Sequence, residues 1–187
     1  GPSDRIYLRR WISLIDPSFI EGIHYSIMFY GGRLLAHLTM EPDRIEQEFI
    51  PLLRINRNAL VLMDRDGCSS EAQLSKTKER IQAETKVGNC WITKGREIEN
   101  YLSDRTVGAF LAHRFGESAD FKHDINTRLG ESIKFQNPEM GFDYDGDKVR
   151  YSKEIVEYIQ KDDLKTLDLE DWLAYIAQQI REWNHLS

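Results

Sequence analysis

From Asn58 to Gly67 the chain reads NALVLMDRDG, five apolar residues in a row followed at once by charged ones and a glycine. An unbroken apolar run of that length predicts a strand covered on both faces, the kind that builds parallel sheets. His24–Tyr30 (HYSIMFY) and Asn89–Thr93 (NCWIT) predict two more strands. Helical spacing fills the intervals. Ile6, Leu8, Trp11, Ile12 and Ile15 mark a helix from Asp4 to about Leu14, with Ser3 or Asp4 as its N-cap, ended by Asp16 and Pro17. A short helix is expected over Arg33–Leu38 after the Gly31–Gly32 pair, whose free N–H groups are able to meet an anion, although a lone glycine pair reads first as a turn. Pro42 opens a helix over Asp43–Ile55, and the polar stretch Ser70–Lys86 suits an exposed crossover helix.

Alternation of helix and strand of this kind predicts a parallel sheet flanked by helices over residues 1–105. A helix at the head of such a series follows a strand, so the sheet's first strand is expected upstream of Gly1, unless Gly1, Pro2 and Ser3 are a remnant of cloning. From Val107 strand signals fade, and residues 106–187 read as a helical extension. Helices are predicted over Gly108–Phe115, Lys148–Gln160 and Asp168–Trp183, with an interrupted one over Glu117–Phe135 and a turn-rich loop over Gln136–Asp147. In the last helix Leu169, Trp172, Leu173, Ile176, Ala177, Ile180 and Trp183 recur at helical spacing, which predicts core or a docking face.

Composition narrows the class. With 41% hydrophobic and 30% charged residues the chain is expected to be globular, and no apolar run approaches the roughly 18 residues of a membrane span. The expected location is the cytoplasm. Cys68 and Cys90, in no CxxC pair, indicate neither a disulfide framework nor a structural zinc site. A net charge of −6 argues against coating nucleic acid by bulk electrostatics, yet is compatible with a nuclease whose carboxylates gather at a metal.

The candidate chemistry lies in acids at the ends of successive elements. Asp64 and Asp66 follow one strand, Glu97 and Glu99 follow the next, and Asp4 begins the first helix. In an open α/β sheet ligands bind at the carboxyl ends of strands. Alternate residues such as 64 and 66, or 97 and 99, are able to face one side of an extended segment, and their oxygens suit Mg²⁺ or Mn²⁺. Two such ions are the usual way to stabilise the attacking and leaving oxygens of phosphodiester cleavage. The plainer alternatives are a turn for DRDG and a favourable helix start for Glu97 and Glu99. Arg96 is placed to contact phosphate or simply to pair with a neighbouring acid.

GPSD before a helix, GGR after a strand, the apolar run ending in DRD, and REIENYL together resemble the Toprim nuclease domain of OLD-family (overcoming lysogenization defect) ATP-dependent endonucleases, over roughly residues 1–105. The resemblance implies a Toprim, Rossmann-like α/β sheet with a helical C-terminal region. It matches Asp4 to the second acid of an EGxxD motif whose Glu would precede Gly1, Asp64 and Asp66 to the DxD pair, and Glu97 and Glu99 to the later acidic motif. Those five acids would hold two Mg²⁺ or Mn²⁺ ions, with Asp64, Asp66, Glu99 and a lysine carrying catalysis. Lys148 in DGDKVRYSKEI is the first choice for that lysine and Lys153 the second. The implied substrate is DNA, with RNA as a variant. The implied setting is an ABC-type ATPase domain on the same or a partner chain, a homo-oligomer in the full-length protein, and a role in anti-phage defence or DNA processing.

Two other readings fit parts of the pattern. An apolar strand ending in DxDG also resembles haloacid-dehalogenase phosphatases, with Asp64 as nucleophile and Asp66 as general acid, but GDKVRYSKE departs from that family's later motif and Glu97 and Glu99 go unexplained. The other is a non-catalytic Toprim scaffold that docks partners through Trp172 and Trp183.

Overall fold

A computed structural model of the chain describes residues 1–29, 54–65, 76–116, 136–137 and 142–186. The two apolar runs do pair: β1 (Val61–Met63) and β2 (Cys90–Ile92) form a parallel two-stranded sheet, Val61 opposite Cys90 and Met63 opposite Ile92. The Val61 amide donates to Asn89 O at 2.8 Å and the Thr93 amide to Met63 O at 3.0 Å, so the ladder reaches just past both ends. Between them in sequence lies α2 (Lys76–Glu84), the crossover a parallel pair requires. The described fold is thus mixed α/β, with most of its mass in helices around a small sheet.

α1 (Pro2–Ile15) begins earlier than the sequence suggests. Gly1 is its N-cap and Pro2 sits in the first turn, where a missing N–H costs nothing, so Ser3 and Asp4 lie inside the helix and not at its cap. The helix buries Tyr7, Trp11 and Ile12 against α4 (Lys148–Ile155) and α5 (Leu169–Asn184). On α5 the residues Leu169, Leu173, Ala177 and Ile180 are buried, and Trp172 stacks flat on the fully buried Trp91, ring centroids 5.4 Å apart. Much of the apolar stripe of the last helix is therefore core, with Trp172 half-buried and packed against it.

Several boundaries move for identifiable reasons. α3 (Asp104–Phe115) starts four residues before the expected Gly108, because Ser103 caps it by accepting the Thr106 amide at 3.0 Å. The expected strand at His24–Tyr30 is absent over residues 24–29. Gly22 adopts φ 89°, its amide donates to Tyr25 O at 2.8 Å, and only an isolated bridge between Glu21 and Tyr25 forms. His24 is held in that turn, its Nδ1 accepting the Ile20 amide at 3.0 Å and its carbonyl the Asn184 side chain at 2.8 Å. The loop predicted at Gln136–Asp147 contains an antiparallel pair, β3 (Gln136–Asn137) with β4 (Phe142–Asp143), and a 3₁₀ turn over Asp145–Asp147 that runs into α4. α4 ends at Ile155 and tightens to 3₁₀ over Val156–Tyr158, after which Ile159 is extended and its carbonyl accepts from Arg10 Nη2 at 2.8 Å. Of the helix expected at Asp43–Ile55, Arg54 and Ile55 are helical, and the rest lies outside the described residues, as do Gly31–Gly32, Arg33–Leu38, Asp66, Cys68 and Glu117–Phe135. No helix among the described residues is long and apolar enough to cross a membrane.

One charged knot ties α3 to the segment before α5. Asp163, in a 3₁₀ turn over Lys161–Lys165, accepts from Arg105 Nε at 2.9 Å, from the Gln160 amide at 2.7 Å and from the Ser103 hydroxyl. Burial alone would raise its pKa, but these donors outweigh burial and hold the carboxyl at about 2, below the usual 3.8. In that window the unfolded chain binds the proton and the folded chain does not, so stability rises with pH. Asp163→Asn is expected to cost about 1–3 kcal/mol near neutral pH and little near pH 2, where the parent carboxyl is itself being protonated. Urea titrations of both chains between pH 2 and 5 check this; curves that stay parallel throughout would rule out the charged carboxylate as the cause.

Candidate active site

β1 delivers Asp64 to the carboxyl end of the sheet, and β2 delivers the segment from Thr93 that carries Glu97 and Glu99. A clasp on Thr93 fixes the two strand ends together: the Arg65 amide donates to Thr93 Oγ1 at 2.9 Å, Arg65 Nε donates to Thr93 O at 3.0 Å, and the Thr93 hydroxyl donates to Gly95 O at 2.8 Å. Thr93 is fully buried, so this polar linkage replaces water on each group it engages.

The chain then makes a 3₁₀ turn over Ile98–Tyr101. Ile98 and Tyr101 plug into the core, which pins the turn, and Asn100 caps it by accepting the Glu97 amide at 2.9 Å. The turn's first amide, on Ile98, donates to Asp64 Oδ1 at 3.0 Å. One strand's acid is thereby bonded directly to the turn that bears the other acids.

Lys148 completes the cluster from the C-terminal region. It occupies the first position of α4, whose N-cap Asp147 accepts the Arg150 amide at 3.2 Å. A cation there opposes the helix dipole, and the acids across from it supply the compensation. Lys148 Nζ is 3.1 Å from Glu97 Oε2 and 3.5 Å from Glu99 Oε1. Beneath this pair the Tyr144 hydroxyl donates to Glu99 Oε1 at 3.4 Å and lies 2.6 Å from the Tyr7 hydroxyl.

Glu99 is 3% exposed, and burial is the main reason its pKa is pushed up to about 7. Lys148 pulls it down, while the charges of Glu97 and Asp4 push it further up. Asp4, on the first turn of α1, is thus near enough for its charge to act on Glu99; its carboxylate also takes hydrogen bonds from the Gly1 amino group and from Ser3 Oγ.

Of the residues singled out from sequence, Asp4, Asp64, Glu97, Glu99 and Lys148 converge on one region. Lys153 does not: it lies exposed near the end of α4, more than a turn from Lys148. Asp66 lies outside the described residues. Among the described residues no group of three or more His, Cys, Asp and Glu side chains is gathered closely enough to hold a metal ion by itself. Tyr7, Tyr144, Thr93 and Asn100 were not legible as site residues, though Tyr7 falls one helical turn after Asp4 and Tyr144 precedes the DGDK that leads to Lys148. No family model, curated protein or solved structure matches the chain.

Proposed function

We propose that this chain is a Toprim-type, Mg²⁺- or Mn²⁺-dependent endonuclease domain that hydrolyses phosphodiester bonds in DNA. The observation that supports it most is the meeting of Lys148 with Glu97 and Glu99, on a turn whose first amide binds Asp64. Three separate segments contribute to that meeting, and a surface ion pair does not require a buried glutamate with a raised pKa.

The donor chemistry fits a hard divalent cation, since every candidate ligand offers carboxylate oxygen. Asp4, Asp64, Asp66, Glu97 and Glu99 would hold it, and when bound it supplies activation of water and neutralisation of phosphate charge. The chain's own groups have separable tasks. The Lys148 ammonium stabilises negative charge growing on the scissile phosphate. The Thr93 clasp keeps the ends of β1 and β2 at fixed spacing, and the Ile98 amide orients Asp64. On the resemblance to OLD-family proteins, an ABC-type ATPase domain on this or a partner chain controls the cut, the full protein assembles as a homo-oligomer, and the setting is phage defence or DNA processing.

The test is saturable Mn²⁺ binding by calorimetry together with nicking of supercoiled DNA, for the parent and for Asp64→Ala with Asp66→Ala. Binding and nicking are expected in the parent and absent in the variant. Equal behaviour of the two, or a parent that binds no Mn²⁺, would sink the assignment, and a parallel RNA substrate identifies which nucleic acid is cut.

A further inference from the structure

We propose that Tyr144, backed by Tyr7, is a positioning residue that sets the orientation of the Glu99 carboxylate, an inference that rests on the metal-dependent reading above. Both hydroxyls are sealed from water: Tyr7 is 0% and Tyr144 1% exposed, and Glu99 beside them is 3% exposed. A phenol keeps its proton up to about pH 10, so both are O–H groups near neutral pH.

The direction of the chain of bonds follows from counting protons. A phenol has one to give. Tyr144 gives its proton to Glu99 Oε1, so its oxygen accepts the Tyr7 proton across the 2.6 Å contact. Lys148 approaches the same oxygen, Oε1, at 3.5 Å and also stands over the Tyr144 ring at 5.9 Å. Because a carboxylate is planar, two contacts to Oε1 also bias the direction of Oε2.

The two phenols belong to the elements that carry the other site groups. Tyr7 is on α1 with Asp4, and Tyr144 sits on the turn that feeds Lys148 into α4. The relay therefore registers three elements on one buried carboxylate, the kind of outer support whose removal weakens metal binding about 10–100-fold while the ligands remain.

Tyr144→Phe and Tyr7→Phe keep each ring and remove only the hydroxyl. Mn²⁺ affinity, read by calorimetry on the full chain, is expected to fall about tenfold in Tyr144→Phe and less, about threefold, in Tyr7→Phe. The double variant is expected to match Tyr144→Phe alone, because Tyr7 acts through Tyr144. Circular dichroism and melting curves without metal establish that the variants are folded, so that a fall in Mn²⁺ affinity does not report a general loss of structure. If Tyr144→Phe fails to fold, Tyr7→Phe carries the comparison. Parent-like Mn²⁺ affinity in the variants, or losses that simply add, would overturn the relay while leaving the nuclease reading in place. A parent that binds no Mn²⁺ overturns that reading and the relay with it.

Discussion

Trp91→Ala is expected to destabilise the chain by about 3–5 kcal/mol, the range for deleting a large buried aromatic. Trp91 is the middle residue of β2 and is fully buried. Its ring lies parallel to Trp172, 11° between planes, and meets the edge of Tyr101 at 5.4 Å, so its removal opens a void between the sheet and α5. The indole N–H also donates to the Tyr101 hydroxyl at 3.2 Å. That hydroxyl accepts the Lys94 amide at 2.9 Å and donates to Asp168 Oδ1 at 2.7 Å, joining the end of β2 to the N-cap of α5. Trp91→Phe keeps an aromatic ring and loses the donor and part of the volume, so it is expected to cost less, about 1–2 kcal/mol. Urea midpoints at constant m-value check both figures. A loss below about 1 kcal/mol for Trp91→Ala would mean that α5 does not depend on this stack, against typical whole-domain stabilities of about 5–15 kcal/mol.

The legible part of the structure was the part written in local pattern. Five apolar residues before Asp64 and the NCWIT run announced a parallel pair, and the structure pairs Val61–Met63 with Cys90–Ile92. The stripe on α5 was legible because 3.6-residue spacing is a local property. The run at His24–Tyr30 carried the same apolar richness, yet its described residues 24–29 form no strand, since Gly22 closes a turn and Ile23, Met28 and Phe29 stay exposed. Composition does not distinguish apolar residues that face a sheet from those that decorate a turn. Asp64, Glu97 and Glu99 could be singled out as candidates because they follow strands, whereas the contact of Tyr144 with Tyr7 could not, because a hydroxyl pair 137 residues apart in sequence leaves no local trace. Lys148, the first choice from sequence, sits at the first position of α4 against Glu97 and Glu99, whereas Lys153, the second, lies exposed near the end of that helix.

Glu99→Gln is expected to make the metal-free chain more stable above neutral pH, by up to about 3 kcal/mol. The sign follows from the raised pKa. Glu99 has its carboxyl pushed from the usual 4.5 up to about 7, chiefly by burial. Between those values the folded chain keeps a proton that the unfolded chain has released, so the parent's stability falls as pH rises. The favourable contribution is full below about pH 4.5 and gone above about pH 7. Glutamine occupies the same volume without the charge, so the variant's stability is expected to be level across that window, while Lys148 keeps its partner Glu97. Asp163 does not obscure the result, because its contribution changes between about pH 2 and its ordinary 3.8, below most of that window, and it is present in both chains. Urea unfolding in the presence of a chelator from pH 4 to 8 measures the slope, and a parent curve as level as the variant's would show that Glu99 is not the buried acid responsible. On the proposed function, Mn²⁺ added at pH 8 stabilises the parent by mass action and leaves Glu99→Gln nearly unchanged, since binding requires the deprotonated carboxylate. A substitution that stabilises the empty chain while abolishing Mn²⁺ binding and DNA nicking is the pattern expected of a residue kept for chemistry at the expense of stability.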